Sequence, residues 1–307
     1  MKKIIIVEPH GFCSGVARAV RTAEKILEIH AGQTVYCLNQ IVHNQQVVGD
    51  LRARGMVFVE RVENVPEGSL LLLSAHGVSP QVKTCAAERN LKVVDAVCPF
   101  VSKVHAEVRA FSEQGVNVIC IGHRSHEEVA GVAGEAPDAV HVVENVMDVE
   151  ALDLPVDKPV GVVTQTTLGA AQVDAVMDAL KSRFSQLQLP ESTDVCYATR
   201  NRQNAVRTLA GCTQRVLVLG SPNSSNSLRL VECAAAEGVE SLLISSAEDV
   251  DKLDWQDIRC AGLTSGASTP ENFLNAVVDR LRNVHGFDTS ETLTAVAEQS
   301  RHFKMPL

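Results

Sequence analysis

Short aliphatic runs alternate along this chain with longer stretches in which apolar residues recur every three or four positions. Ile4-Ile5-Ile6-Val7 is the first run, continuous enough to predict a strand buried on both faces. Beyond Pro9, Gly11 and Gly15, the spacing of Val16, Ala17, Ala19, Val20, Ile26 and Leu27 predicts a helix. The same succession comes twice more, in LKVVDAVCPFVSKVHAEV and STDVCYATRNRQNAV. Each handover from strand to helix holds one cysteine: Cys13, Cys98 and Cys196, spaced by 85 and then 98 residues. The start of a helix is the positive end of its dipole, which favours a thiolate.

Two further strands follow each cysteine at comparable distances. TVYCL and LLLL end at Asn39 and Ser74, VNVICI and VGVV at Gly122 and Thr164, RVLVL and CAGL at Gly220 and Thr264. The repeat is too long for a solenoid and suits small α/β modules with parallel sheets and right-handed crossovers. The expected modules are residues 1–95, 96–192 and 193–283, with LQLPESTD as the clearest linker-like stretch. Residues 284–307 lose clear periodicity and are expected to be a surface tail. In open parallel sheets ligands bind beyond the carboxyl ends of the strands. If the three modules turn those edges toward one point, the three cysteines meet there.

Composition narrows the use of such a site. No apolar run approaches the length of a membrane span and no signal-peptide pattern opens the chain, so the expected location is cytoplasmic. There the nine cysteines stay reduced, which favours metal or redox work over disulfides. A net charge of -9 and 4% aromatic residues argue against nucleic-acid binding. Structural zinc wants four ligands and close CxxC pairs, which these three cysteines lack. A single nucleophile needs no second or third copy. A 4Fe–4S cluster on three thiolates leaves one iron with an open position. Three buried apolar cysteines are the plain alternative. For Cys37, Cys120 and Cys260 within strands and Cys85, Cys212 and Cys233 within helices, that plain reading is preferred.

The loops beside the cysteines carry the remaining chemistry. The first module offers His43 in NQIVHN and His76 in SAHG. The second offers His123, His126 and Glu128 in GHRSHEE, and Thr166 and Thr167 in TQTTLG. The third offers Ser224, Ser225 and Asn226 in GSPNSSNS, and Ser268 in TSGAST. At strand ends and helix starts these are donors suited to phosphate oxygens, although serine and asparagine are also common helix caps. Glu128 is taken as the only carboxylate of the set and a candidate proton donor, held protonated if buried beside an anion. Its plain reading is a first-turn glutamate favoured by the helix dipole. Neither GxGxxG nor GxxxxGK[ST] is present, so a dinucleotide fold and a P-loop are not supported.

Taken in order, PHGFCSGV, NQIVHN, SAHG, DAVCPFV, IGHRSHEE, VTQTTL, DVCYATRNRQ, GSPNSSNS and TSGAS resemble the 4-hydroxy-3-methylbut-2-enyl diphosphate reductase family over nearly the whole chain. The resemblance implies an α/β fold of three pseudo-repeated modules with mainly parallel sheets, arranged as a trefoil around a central site. It implies a 4Fe–4S cluster on Cys13, Cys98 and Cys196, with the diphosphate held by His43, His76, His126, Ser224, Ser225, Asn226 and Ser268. Thr166 and Glu128 would form the proton relay. The implied reaction is reductive dehydroxylation of an allylic diphosphate to isopentenyl or dimethylallyl diphosphate, fed by reduced ferredoxin or flavodoxin. A monomer suffices, because three internal modules already enclose a site.

Two other readings of the residues stay open. A non-enzymatic iron–sulfur sensor or carrier explains the cysteines without the phosphate-type loops. A cluster-dependent hydro-lyase would use the open iron and need no reductant.

Overall fold

A computed structural model describes residues 1–298 and 301–307. The chain opens with β1 (Lys2–Glu8) and α1 (Ser14–Ile29). It continues through β2 (Val35–Leu38), α2 (Gln45–Ala53), β3 (Met56–Val59), β4 (Leu70–Leu73), α3 (Pro80–Glu88) and β5 (Lys92–Asp95). Then come α4 (Pro99–Glu113), β6 (Asn117–Ile121), α5 (Glu127–Ala133), β7 (Val140–Val143), α6 (Val146–Glu150), β8 (Val160–Thr164), α7 (Ala170–Arg183) and β9 (Leu187–Gln188). The last stretch holds α8 (Tyr197–Ala210), β10 (Arg215–Leu219), α9 (Ser225–Ala236), β11 (Glu240–Ile244), β12 (Cys260–Ser265), α10 (Glu271–His285) and β13 (Phe287–Thr294).

These elements form two compact units. The first comprises Met1–Ala17, His43–Gly49 and Tyr197–His302, and the second Arg18–Val42, Asp50–Cys196 and Phe303–Leu307. The first unit has one five-stranded sheet in the order β11-β10-β12-β1-β13. The second has two four-stranded sheets, β3-β2-β4-β5 and β7-β6-β8-β9. Every ladder is parallel, as the continuous aliphatic runs predict.

Alternation within the strands explains why those runs are apolar throughout. In the first unit Ile4, Leu217, Leu219 and Leu263 face α10, packing with Phe273, Val277 and Leu281. Their neighbours Ile5, Val7, Val216 and Val218 face the opposite way, against Val206 and Leu209 of α8 and Leu230 of α9. Each buried aliphatic side chain contributes about 1.5–3 kcal/mol relative to exposure. The second unit repeats the scheme: Ile119 and Ile121 meet Val176 and Leu180 of α7, while Val118 and Cys120 meet Val104 and Val108 of α4 and Val129 of α5.

Three expectations change. β1 does not belong with the strands of residues 1–95; it pairs with β12, Ile4 opposite Ala261, and with β13, Ile4 opposite Ser290. A strand apolar on both faces requires two neighbours, and hydrophobic pattern does not say which. By contrast β5 and β9, which lead into Cys98 and Cys196, close the sheets of β4 and β8. Second, residues 284–307 are not all tail: α10 runs to His285 and β13 makes a full edge strand along β1. Its polar sequence is exposed at most positions, so the backbone ladder and the buried Phe287 hold it. Apolar periodicity had nothing there to register. Within that expected tail, Gln299 and Ser300 lie outside the described residues. Third, Cys212 lies in the turn after α8, which stops before Gly211.

Candidate active site

In the first unit Cys13 stands in the turn from β1 to α1. Its N–H donates to the Ala267 carbonyl at 3.1 Å and its carbonyl accepts from Ala17 at 2.8 Å, the geometry of a helix-capping residue. The sulfur lies 3.5 Å from the Val16 nitrogen, so the N–H groups at the helix start face it. Arg202, buried in α8, donates to the Gly11 carbonyl at 2.9 Å and is paired with Glu298, which ties this turn to the helix.

The serine-rich loop of the same unit has a double character. Ser224 is an ordinary cap of α9, its hydroxyl oxygen accepting from the Ser227 N–H at 3.3 Å and the Ser227 hydroxyl at 3.0 Å. Both of those bonds use its lone pairs, so its own proton is still available to donate. Ser225 is the half-buried first residue of α9. Asn226 is 6% exposed, and neither its Nδ2 nor its Oδ1 has a hydrogen-bond partner among the described residues. An amide buried with both ends unsatisfied is unfavourable by about 1–3 kcal/mol per group, and a polar ligand would relieve that. Ser268 donates to the His43 carbonyl at 3.0 Å, and Asn223 Nδ2 lies 3.4 Å from His43 Nδ1. These bonds fix His43 beside the loops that carry Asn226 and Ser268.

In the second unit Cys98 caps α4; its N–H donates to Ala75 at 2.9 Å and its carbonyl accepts from Ser102 at 2.9 Å. Cys196 precedes α8, and its N–H donates to the Thr166 carbonyl at 3.1 Å. Thr166 thereby joins a cysteine to a carboxyl group. Its N–H donates to Glu128 Oε1 at 2.7 Å and its hydroxyl to Oε2 at 3.0 Å. Glu128 is 2% exposed. Burial pushes its carboxyl above the usual carboxylate range, and the two Thr166 bonds oppose that shift without cancelling it.

His126 and His76 of this unit are set by their neighbours. His126 caps α5, its Nδ1 accepting from the Glu128 N–H at 3.1 Å. The neutral ring then carries its proton on Nε2, a ready donor to an anion. His76 follows β4, with Nδ1 3.1 Å from Glu127 Oε2 and its ring edge-on to His126 at 5.9 Å. Glu127 corrects the expectation that Glu128 is the only carboxylate at these loops. The HEE run held the signal for it, but its partner lies 51 residues away in the chain.

Residues 4–282 match the family described as LytB protein. The chain belongs to the LytB family. A member from Acidothermus cellulolyticus, named 4-hydroxy-3-methylbut-2-enyl diphosphate reductase, is 45% identical over 298 residues, covering 97% of this chain and 87% of the relative. One from Rhodococcus jostii with the same name is 45% identical, covering 99% and 90%. The solved E-1-hydroxy-2-methyl-but-2-enyl-4-diphosphate reductase of Plasmodium falciparum superposes with a TM-score of 0.95 at 36% identity, covering 99% of this chain and 96% of that one. A second solved structure, described as (E)-4-hydroxy-3-methyl-but-2-enyl diphosphate reductase, the terminal enzyme of the non-mevalonate pathway, gives 0.66 at 32% identity, covering 92% and 100%.

The donor set of this LytB chain suits an iron–sulfur cluster. Cys13, Cys98 and Cys196 are half-buried at strand-to-helix junctions, and no cysteine is in a disulfide among the described residues. The cysteines inside strands are unsuited: burial pushes the Cys37 thiol far up and that of Cys120 to about 12. Burial also raises the thiols of Cys212, Cys233 and Cys260. No helix among the described residues is long and apolar enough to cross a membrane.

Proposed function

We propose that this chain catalyses the reductive dehydroxylation of (E)-4-hydroxy-3-methylbut-2-enyl diphosphate to isopentenyl and dimethylallyl diphosphate. The names of its LytB relatives support the substrate and reaction class. The observation that carries the reading is the continuous path from Glu128 through Thr166 to Cys196. It links a buried carboxyl group, whose charged form burial disfavours, through one residue to a cysteine that would ligate the cluster.

Cys13, Cys98 and Cys196 would hold a 4Fe–4S cluster, which when bound supplies electrons one at a time and an iron able to act as a Lewis acid. The protein's own part is binding and proton supply. Hydroxide is a poor leaving group, so the C–O bond needs a proton at the oxygen as it breaks. Burial disfavours the Glu128 anion, so Glu128 would be the residue to supply that proton, and the Thr166 N–H and hydroxyl fix the direction of the carboxyl. Two electrons and two protons enter, one C–O bond breaks, a C–H bond forms and water leaves.

His43, His76, His126, Ser224, Ser225, Asn226 and Ser268 would grip the diphosphate. The set is mostly neutral, which weakens product retention relative to a cage of Lys and Arg. Asn226, with both amide atoms unsatisfied, is the member whose environment most favours a polar guest. Reduced ferredoxin or flavodoxin would deliver the electrons, in the cytoplasm, to a monomer without nucleic-acid or membrane partners.

Replacing Glu128 by Gln tests the reading. The variant keeps the shape and the Thr166 contacts but has no carboxylic proton, so turnover is expected to fall at least about a hundredfold with substrate affinity retained. Wild-type turnover in Glu128→Gln would remove Glu128 from the reaction.

A further inference from the structure

α5 is only seven residues long, yet each end bears a carboxylate that touches a histidine on a neighbouring element. At its start Glu127 Oε2 is 3.1 Å from Nδ1 of His76, in the loop after β4. Just beyond its end Glu135 Oε1 is 2.6 Å from Nδ1 of His105, two turns into α4 from Cys98. Arg109 of α4 also reaches Glu135, at 2.9 Å. His105 and Glu135 are both nearly buried.

Between the two pairs runs the backbone of Gly77. A Cβ built on Gly77 would stand 2.8 Å from Nε2 of His105, so that ring lies against the loop directly after His76. On the other side α5 closes on the same loop through its glycines. A Cβ on Gly131 would meet the Gly77 carbonyl at 3.4 Å, and one on Gly134 would lie 2.3 Å from the Ser79 Cβ. Glycine weakens a short helix, so its presence at Gly131 has a packing reason: the helix approaches a bare backbone. His105 Nε2 is buried without a hydrogen-bond partner. The ring is therefore held there by Glu135 and by packing, not by a bond to the loop.

We infer that Glu127 and Glu135 are positioning residues for His76, clamping the His76–Gly77 loop between α4 and α5. Glu127 keeps a proton on Nδ1 of His76 and sets the plane of the ring, the role a carboxylate plays behind an imidazole that must present its other nitrogen. Glu135 and His105 fix where α5 sits, and with it Glu127. This inference rests on the reading of His76 as a diphosphate ligand given above.

The test measures calorimetric binding of inorganic pyrophosphate to the anaerobically purified chain, beside KM and kcat for the allylic diphosphate. Glu127→Ala is expected to weaken pyrophosphate binding and raise KM by about tenfold, with a much smaller change in kcat. Glu127→Gln, which keeps an oxygen facing Nδ1, should recover most of that loss. His105→Leu should weaken binding in the same direction without touching the ligand histidine, and His105→Asn, which retains a donor toward Glu135, should restore part of it. If Glu127→Ala and His105→Leu lower the melting temperature but bind pyrophosphate as wild type does, the clamp is only structural and the inference falls. Unchanged or tighter binding in Glu127→Ala alone also overturns it. A wild-type chain that binds pyrophosphate and fails to turn over would sink the reaction proposed above instead, and the binding comparison would still decide this one.

Discussion

Glu128 and Glu107 are both raised by burial, and each should leave its own mark on pH dependence. Glu107, beside Lys103 at 2.7 Å, is pushed from 4.5 to about 7, with burial the largest cause. A raised folded value means that the folded chain keeps a proton the unfolded chain has lost. Stability from this group is therefore full below pH 4.5 and falls as pH rises toward about 7. Chemical unfolding of wild type and Glu107→Gln across that range should show the decline in the first and a flatter profile in the second. For Glu128 the same direction acts on rate: kcat should fall as pH climbs past its raised value and the proton is lost. At the cysteines, Cys98→Ser should lose most of the bound iron. Unchanged iron content would argue against ligation there. Glu128 was legible in the sequence because it stands two residues from His126 at a predicted helix start. Glu127 and Glu135 were not, because their meaning comes from His76 and His105 on other elements.

Among elements, strands buried on both faces were the most legible. Their aliphatic runs announce two covering layers, and β4, β8 and β10 are buried at every position. Which strand neighbours which was not legible for β1, and β13 was missed because an edge strand with exposed side chains carries no apolar rhythm. Cutting the chain after Gly286 would leave β1 as an unpaired apolar edge, so the truncated protein is expected to aggregate where the full chain does not. Light scattering during expression at equal concentration checks this, and a monodisperse truncated product would count against a structural role for β13. The fit of α8 on the sheet is as specific. A methyl on Gly262 of β12 would stand 2.8 Å from Leu209 Cγ, which is fully buried. Gly262→Ala should therefore destabilise the protein by about 1–3 kcal/mol through overpacking, read as a lower midpoint in urea.

At the scale of the whole molecule, the three-part plan of strand, cysteine and helix was visible in spacing alone, and three parallel sheets carry it. The chemistry became specific only when the loop residues were added, and the LytB family match covers residues 4–282, nearly all of the three-part stretch. If an acidic carrier delivers the electrons, as proposed above, a chain of net charge -9 needs a local basic face to receive it. The reductase account is tested most directly by supplying (E)-4-hydroxy-3-methylbut-2-enyl diphosphate to the anaerobically purified, iron-counted protein with and without a chemical reductant. It predicts isopentenyl and dimethylallyl diphosphate only when reductant is present. Conversion without reductant, or no conversion by iron-replete protein with it, would contradict the account.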